Sequence, residues 1–241
     1  MAPERGILFE ILLEMALGDE LDTTISRILD PLGSAIADVG ARLEKADSTN
    51  SPDVDWWVDE EVGIIEELLG VAFVACQVQI TSIVSGIERL HRHAEKQSKR
   101  LAMTDRTRAD VMGYGFAVTP ASPYPPVQVI YAFANYYKHR DQWGPGEWDR
   151  PTGLSAMTIQ IIRSAGAEHG STGNLRQGAE YLGNPQYQHL SVFSGHLSGW
   201  RKDLARAYEA ELKEKGLMRA AKSERGPKPS AQRKPRGKRK R

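Results

Sequence analysis

The sequence predicts an all-α fold: a helical bundle around one long central helix, followed by a disordered basic C-terminal tail. Three observations predict it. Apolar residues recur at helical spacing through most of the chain, and almost nowhere do they alternate as a strand requires. The stretch from about Asp55 to about Lys99 reads as a single helix. Clusters of Gly and Pro separate the helical segments, which marks the connections.

Residues 5–17 read as a first amphipathic helix. Residues 19–46 read as one or two more, with a break expected near Asp30-Pro31, because proline removes a donor and clashes with the preceding turn. Ser48 to Asp53 is a polar connection, and Ser51-Pro52-Asp53 is a helix start, with a capping hydroxyl, a first-turn proline and acids at the positive end of the dipole. The long helix that follows is apolar nearly all round its middle and charged from Glu88 to Arg100. A central helix wrapped by others explains both. Residues 113–126 are a Gly- and Pro-rich loop, and Pro125-Pro126 open a helix from Val127 to His139. Residues 141–153 read as a loop, 154–166 as a helix, 170–173 as a Gly-rich connector and 174–182 as a short helix. A last long helix is expected from Pro185 to Lys215. Beyond Leu217 apolar content collapses and Pro, Gly, Lys and Arg dominate, the composition of a disordered segment. The chain contains no internal repeat.

With 241 residues, 40% of them hydrophobic, the chain can bury a substantial core, and the organisation expected is one helical domain over 1–218 with a tail over 219–241. A single cysteine, Cys76, excludes an intrachain disulfide framework and a multi-cysteine zinc site. Neither a metal nor another cofactor is expected. The formal net charge of +1 hides a separation. Residues 219–241 hold eleven Lys or Arg against Glu224, a net +10, which leaves −9 on residues 1–218. The protein reads as an acidic body with a basic arm.

Residues 7–17 are apolar but carry Glu10 and Glu14, so they do not read as a secretory signal. Leu68 to Ile87 is uncharged over a membrane-span length, yet Gln77, Gln79, Thr81, Ser82 and Ser85 lie inside it. Amides without partners are costly in lipid, so a buried core helix is expected here rather than a membrane contact. The expected location is cytoplasmic, or nuclear in a eukaryotic host.

The segment Val127 to Trp143 (VQVIYAFANYYKHRDQW) carries the strongest chemical signal. On a helical wheel Val127, Ile130, Tyr131, Ala134 and Tyr137 share a broad apolar arc, while Gln128, Asn135 and His139 form a narrow stripe. Asn135 and His139, four apart, lie on one face, and Lys138 sits at the helix end. A mostly covered helix with an amide, an imidazole and an ammonium close together holds either a hydrogen-bonded structural pin or a site.

The string Ala134-Asn135-Tyr136-Tyr137-Lys138-His139 resembles the motif helix of HEPN domains, helical bundles common in prokaryotic toxins and defence proteins. Their motif is an Arg, four to six residues and a His, often with Asn straight after the Arg. Aligned on His139, Asn135 matches that polar residue, while Ala134 occupies the arginine position. The resemblance implies an RNA-binding protein or, if an enzyme, a metal-independent endoribonuclease acting as a homodimer, with an antitoxin-like protein as a possible partner. His139 is then the proton-transfer residue, since an imidazole serves as base or acid near neutrality. Asn135 orients its ring, and Lys138 stabilises the phosphorane charge as a point charge rather than an arginine fork. The alternative is a non-catalytic helical interaction or scaffold protein whose tail binds nucleic acid.

Other features read more simply. Arg163 and His169 enclose five residues, the same Arg-to-His spacing, but glycines interrupt that helix. His91 and His93, two apart, do not face one another on a helix. His189 and His196 are seven apart on one face. Gly170-Ser171-Thr172-Gly173-Asn174 offers amides to a phosphate but lacks the Lys-Ser/Thr of a P-loop, so a helix cap is the reading. One of Trp56 and Trp57 is expected to be buried, and Cys76 to be inert core. The tail is a second signal. Its cations, Arg233, Lys234, Arg236, Lys238, Arg239, Lys240 and Arg241 among them, suit RNA or another polyanion held by counterion release. It has no aromatic residue for base stacking.

Overall fold

The computed structural model describes residues 5–47, 54–104, 106–117 and 123–218. These residues form α1 (Arg5–Leu17), α2 (Glu20–Asp47), α3 (Val54–Glu95), α4 (Arg108–Met112), α5 (Pro126–His139), α6 (Pro145–Asp149), α7 (Ala156–Ser164), α8 (Asn174–Tyr181) and α9 (Ser191–Glu214), with short 3-10 turns at Arg140–Gln142 and Gly153–Ser155. Among the described residues there is no strand. The tail, with all its proposed polyanion-binding residues, lies outside the described residues.

Helix α3 is the axis of the bundle, and α1, α2, α5, α8 and α9 all pack against it. Its sequence explains the wrapping. Ile65, Leu69, Ala72, Phe73, Cys76, Ile80, Ile83, Val84, Ile87 and Leu90 recur at helical spacing and are all buried. By length and composition α3 is long and apolar enough to cross a membrane, and much of that apolar surface is turned into the bundle. The two glutamines of its middle find partners there. Gln77 donates to the Asn135 side chain (2.7 Å), and Gln79 donates to the Leu21 carbonyl (2.9 Å). Phe73 stacks between Phe133 of α5 and Phe193 of α9, with ring centroids 5.4 and 4.8 Å away. Burial pushes the Cys76 thiol up to about 12, so it stays protonated and unreactive.

Several boundaries differ from the expectation. Helix α2 runs unbroken through Pro31. The carbonyl that Pro31 leaves unpaired belongs to Arg27, and both residues are on the exposed face, where water can serve it. Helix α9 starts at Ser191 rather than Pro185. A left-handed turn at Gly183 (φ 88°) and Tyr187 (φ 45°) intervenes. The expected loop over 141–153 contains the one-turn helix α6, which buries Trp148. Trp57 is half-buried and Trp56 is 70% exposed.

The charged end of α3 meets α9 through a buried histidine. His91 Nε2 lies 2.7 Å from the Tyr208 hydroxyl. Burial holds the His91 imidazole below its ordinary pKa, against the pull of Glu211, Glu95 and Glu88. A base with a lower pKa in the folded state gives up its proton more readily there. Stability from this site is therefore complete above the ordinary value of 6.5 and declines as pH falls below it. Thermal melts between about pH 5 and 8 are expected to show that decline in the wild type and a flatter profile in His91→Gln. Equal slopes in the two proteins would contradict it.

Candidate functional site

Helix α5 starts at Pro126, whose fixed φ suits the first turn. It buries Val127, Val129, Ile130, Ala132, Phe133, Ala134 and Tyr136. At its C-terminal end it presents different groups on different faces.

The predicted residues separate on these faces. The Asn135 side-chain oxygen accepts the hydrogen bond from Gln77, so Asn135 pins α5 to α3. His139, the last residue of α5, is half-buried, and its Nδ1 lies 3.3 Å from Gln142 Oε1. Lys138 is exposed beside it. Among the described residues, no hydrogen bond joins Asn135 to the His139 ring; the group on that ring is Gln142. Ala134, at the family's arginine position, is fully buried in the core. An arginine there would be surrounded by apolar side chains, so any cation used near His139 comes from another position.

A cavity of about 530 Å³ opens beside the same helix end. Helix α3 supplies Asp59, Glu66 and Glu67; Tyr136 ends the buried face of α5; Arg140, Asp141 and Trp143 follow directly; Trp148 and His169 close the far wall. The Tyr136 ring lies 6.1 Å from Trp143 and 6.2 Å from Trp148, tilted by 44° and 66°. His169 packs edge-on to Trp148 at 5.8 Å, and its Nε2 lies 3.3 Å from the Trp143 carbonyl.

Two of the carboxylates are already engaged. Glu67 accepts from the Tyr137 hydroxyl (2.6 Å) and from Arg140 (2.5 Å). These bonds hold its carboxyl below the usual range, and they raise Arg140 in turn. Tyr137 can lie this close to α3 because residue 70 is glycine: a Cβ there would fall 2.2 Å from the Tyr137 ring. Glu66, buried, accepts from the backbone N–H groups of Leu175 (3.0 Å) and Arg176 (3.1 Å) and from the Arg176 side chain (3.2 Å). It caps α8 from across the bundle, satisfying first-turn donors that have no partner within their own helix. The Gly170-to-Asn174 connector is thus a helix start, as read from the sequence, but its cap comes from α3. Asn174 instead holds Glu168 through both its backbone groups (2.9 and 2.7 Å) and donates to the Tyr136 hydroxyl (2.8 Å).

Arg163 and His169, the second Arg-to-His pair, both converge on Trp148. Arg163 donates to its carbonyl (3.2 Å), and His169 packs on its ring. His196 lies 3.0 Å from the Leu182 carbonyl, and His189 is exposed. Among the described residues, no group of three His, Cys, Asp or Glu side chains could hold a metal ion.

Sequence reasoning missed Tyr136, Arg140, Asp141, Trp143 and Trp148 as wall residues. For Arg140, Asp141 and Trp143 the signal was the continuation of the Asn135–His139 motif into Arg140-Asp141-Gln142-Trp143. The α3 carboxylates had no comparable signal, because their role depends on what packs opposite.

No family model matches the chain, and no curated protein or solved structure matches it either. The fold defines an all-α bundle, and the end of α5 divides a surface histidine from an aromatic cavity.

Proposed function

We propose that this is a HEPN-like protein that binds RNA through its basic tail and cleaves it at His139 without a metal. The observation that carries the reading is the position of His139. The ring ends α5 at the surface, with Gln142 on Nδ1. When Nδ1–H donates to Gln142 Oε1, Nε2 keeps its lone pair and can take the proton of a ribose 2′-hydroxyl. Exposed Lys138 supplies positive charge for the phosphorane, with weaker directionality than an arginine. A facing second copy doubles these groups. In support of self-association, Ile64, Val71 and Val78, seven residues apart on α3, are 40–66% exposed. An antitoxin-like protein partner and a cytoplasmic setting in toxin or phage defence belong to the same proposal.

One observation favours the second reading, a non-catalytic interaction protein with a nucleic-acid-binding tail. Asn135 is used as a pin and Ala134 is buried, so the motif helix is also well explained by packing. Incubating RNA with the wild type and His139→Ala, with and without EDTA, separates the two. The expected result is EDTA-resistant cleavage that falls by about 10²–10⁴-fold in the variant. Equal cleavage by both proteins, or none by either, rejects the enzyme. Removing residues 219–241 is expected to weaken RNA binding and flatten its salt dependence.

A further inference from the structure

We infer that the cavity at the end of α5 binds a small organic ammonium cation with apolar substituents, of the quaternary ammonium type. Its volume, about 530 Å³, falls within the usual range for small-molecule sites. Its wall is aromatic: Tyr136, Trp143 and Trp148 are inclined to one another by 44–66° rather than stacked in parallel. Tyr136 and Trp148 are nearly buried and pack edge-on to one another, so the half-buried Trp143 is the ring with most surface to offer a weakly hydrated cation, which the negative π face of an indole attracts.

The charge of the wall points the same way. Glu67 is neutralised by Arg140, and Glu66 by Arg176 and the start of α8. Asp59 and Asp141 also line the cavity, and among the described residues neither has an ion-pair or hydrogen-bond partner. An entering cation therefore meets two carboxylates without a contact partner, Arg140 acting on Asp141 only at longer range. An entering phosphate or carboxylate meets them as repulsion, and the one arginine of the wall is already held by Glu67. A bare metal ion would gain little from the rings, and the side chains offer no three-ligand set. A cation that is both charged and greasy uses both features of the wall.

The inference is independent of the RNA reading, because His139 is not among the cavity-lining residues. Calorimetric titration of the full chain with choline, its uncharged isostere 3,3-dimethyl-1-butanol and adenosine monophosphate tests it. Choline is expected to bind about tenfold or more tighter than the alcohol, and adenosine monophosphate not to compete with it. Trp143→Ala is expected to weaken choline by about tenfold, and the surface pair Asp59→Asn with Asp141→Asn by several-fold. Circular dichroism establishes that each protein is folded, and the Asn pair decides the matter if Trp143→Ala is not. Choline binding no tighter than the alcohol, displacement by adenosine monophosphate, or unchanged choline affinity in a folded variant overturns the inference.

Discussion

Phe73→Ala is expected to destabilise the protein by about 3–5 kcal/mol. The ring is fully buried and lies between Phe133 and Phe193, so its loss opens a void where α3, α5 and α9 meet. Two terms add. The transferred apolar surface is lost, and the flanking rings lose contact partners in a centre too constrained to collapse. Each ring pair contributes roughly 0.5–1.5 kcal/mol beyond area burial. Phe73→Leu keeps most of the volume and is expected to cost less than half as much. Urea unfolding followed by circular dichroism measures both. A Phe73→Ala loss below about 1 kcal/mol would mean that the centre relaxes freely, contrary to close packing. The effect reaches the site, because Phe133 is six residues before His139 on the same helix and Phe73 packs on it, fixing how α5 lies on α3.

Arg201→Ala is expected to cost about 2–4 kcal/mol. The Arg201 side chain is 2% exposed and crosses from α9 to the junction of α1 and α2. It donates to Asp22 (2.8 and 3.1 Å), to Asp19 (2.6 Å) and to the Leu17 carbonyl. Asp19 is 88% exposed, so that pair is screened and adds little. The weight falls on Asp22, which is 28% exposed and also accepts from Ser198 (2.8 Å), and on the Leu17 carbonyl, which would be left without its side-chain donor. Burial raises the Asp22 carboxyl, but the bonds from Arg201 and Ser198 outweigh it and hold the group below its ordinary pKa of 3.8. A carboxyl lowered in the folded state stabilises fully above that ordinary value and loses its contribution as pH falls through the folded one. The wild type is therefore expected to lose stability below about pH 4 more steeply than Arg201→Ala does. A variant as stable as the wild type, or an acid limb of unchanged slope, would show that the cluster is not what ties α9 to the first two helices.

These two positions also show where the sequence was legible. Phe73 sits in an apolar run whose helical spacing marked it for the core. Arg201 sits in a charged helix, where the pattern suggests solvent, and only α1 and α2 folding over it bury the guanidinium. Pro31 shows the opposite error: a strong local signal for a break gives way because its unpaired carbonyl faces water and the helix is held on its other side. Asn135 and His139 share a stripe as the wheel required, yet Gln77 reaches one and Gln142 the other. Nothing within the α5 segment encodes the first of those choices.

Helix positions, the central apolar helix and the charge separation between body and tail follow from local composition and periodicity, since each rests on residues a few places apart. The meeting of polar groups is decided otherwise. Gln77 finds Asn135 across 58 residues, and Glu66 finds the start of α8 across 109. Such pairs exist because burial removes water as a partner and leaves each donor and acceptor only what the packed bundle brings within reach. The cavity is a product of the same process. Its rings and carboxylates come from α3, α5, α6 and the segments joining them, and their identity as one wall appears only when those helices close on one another.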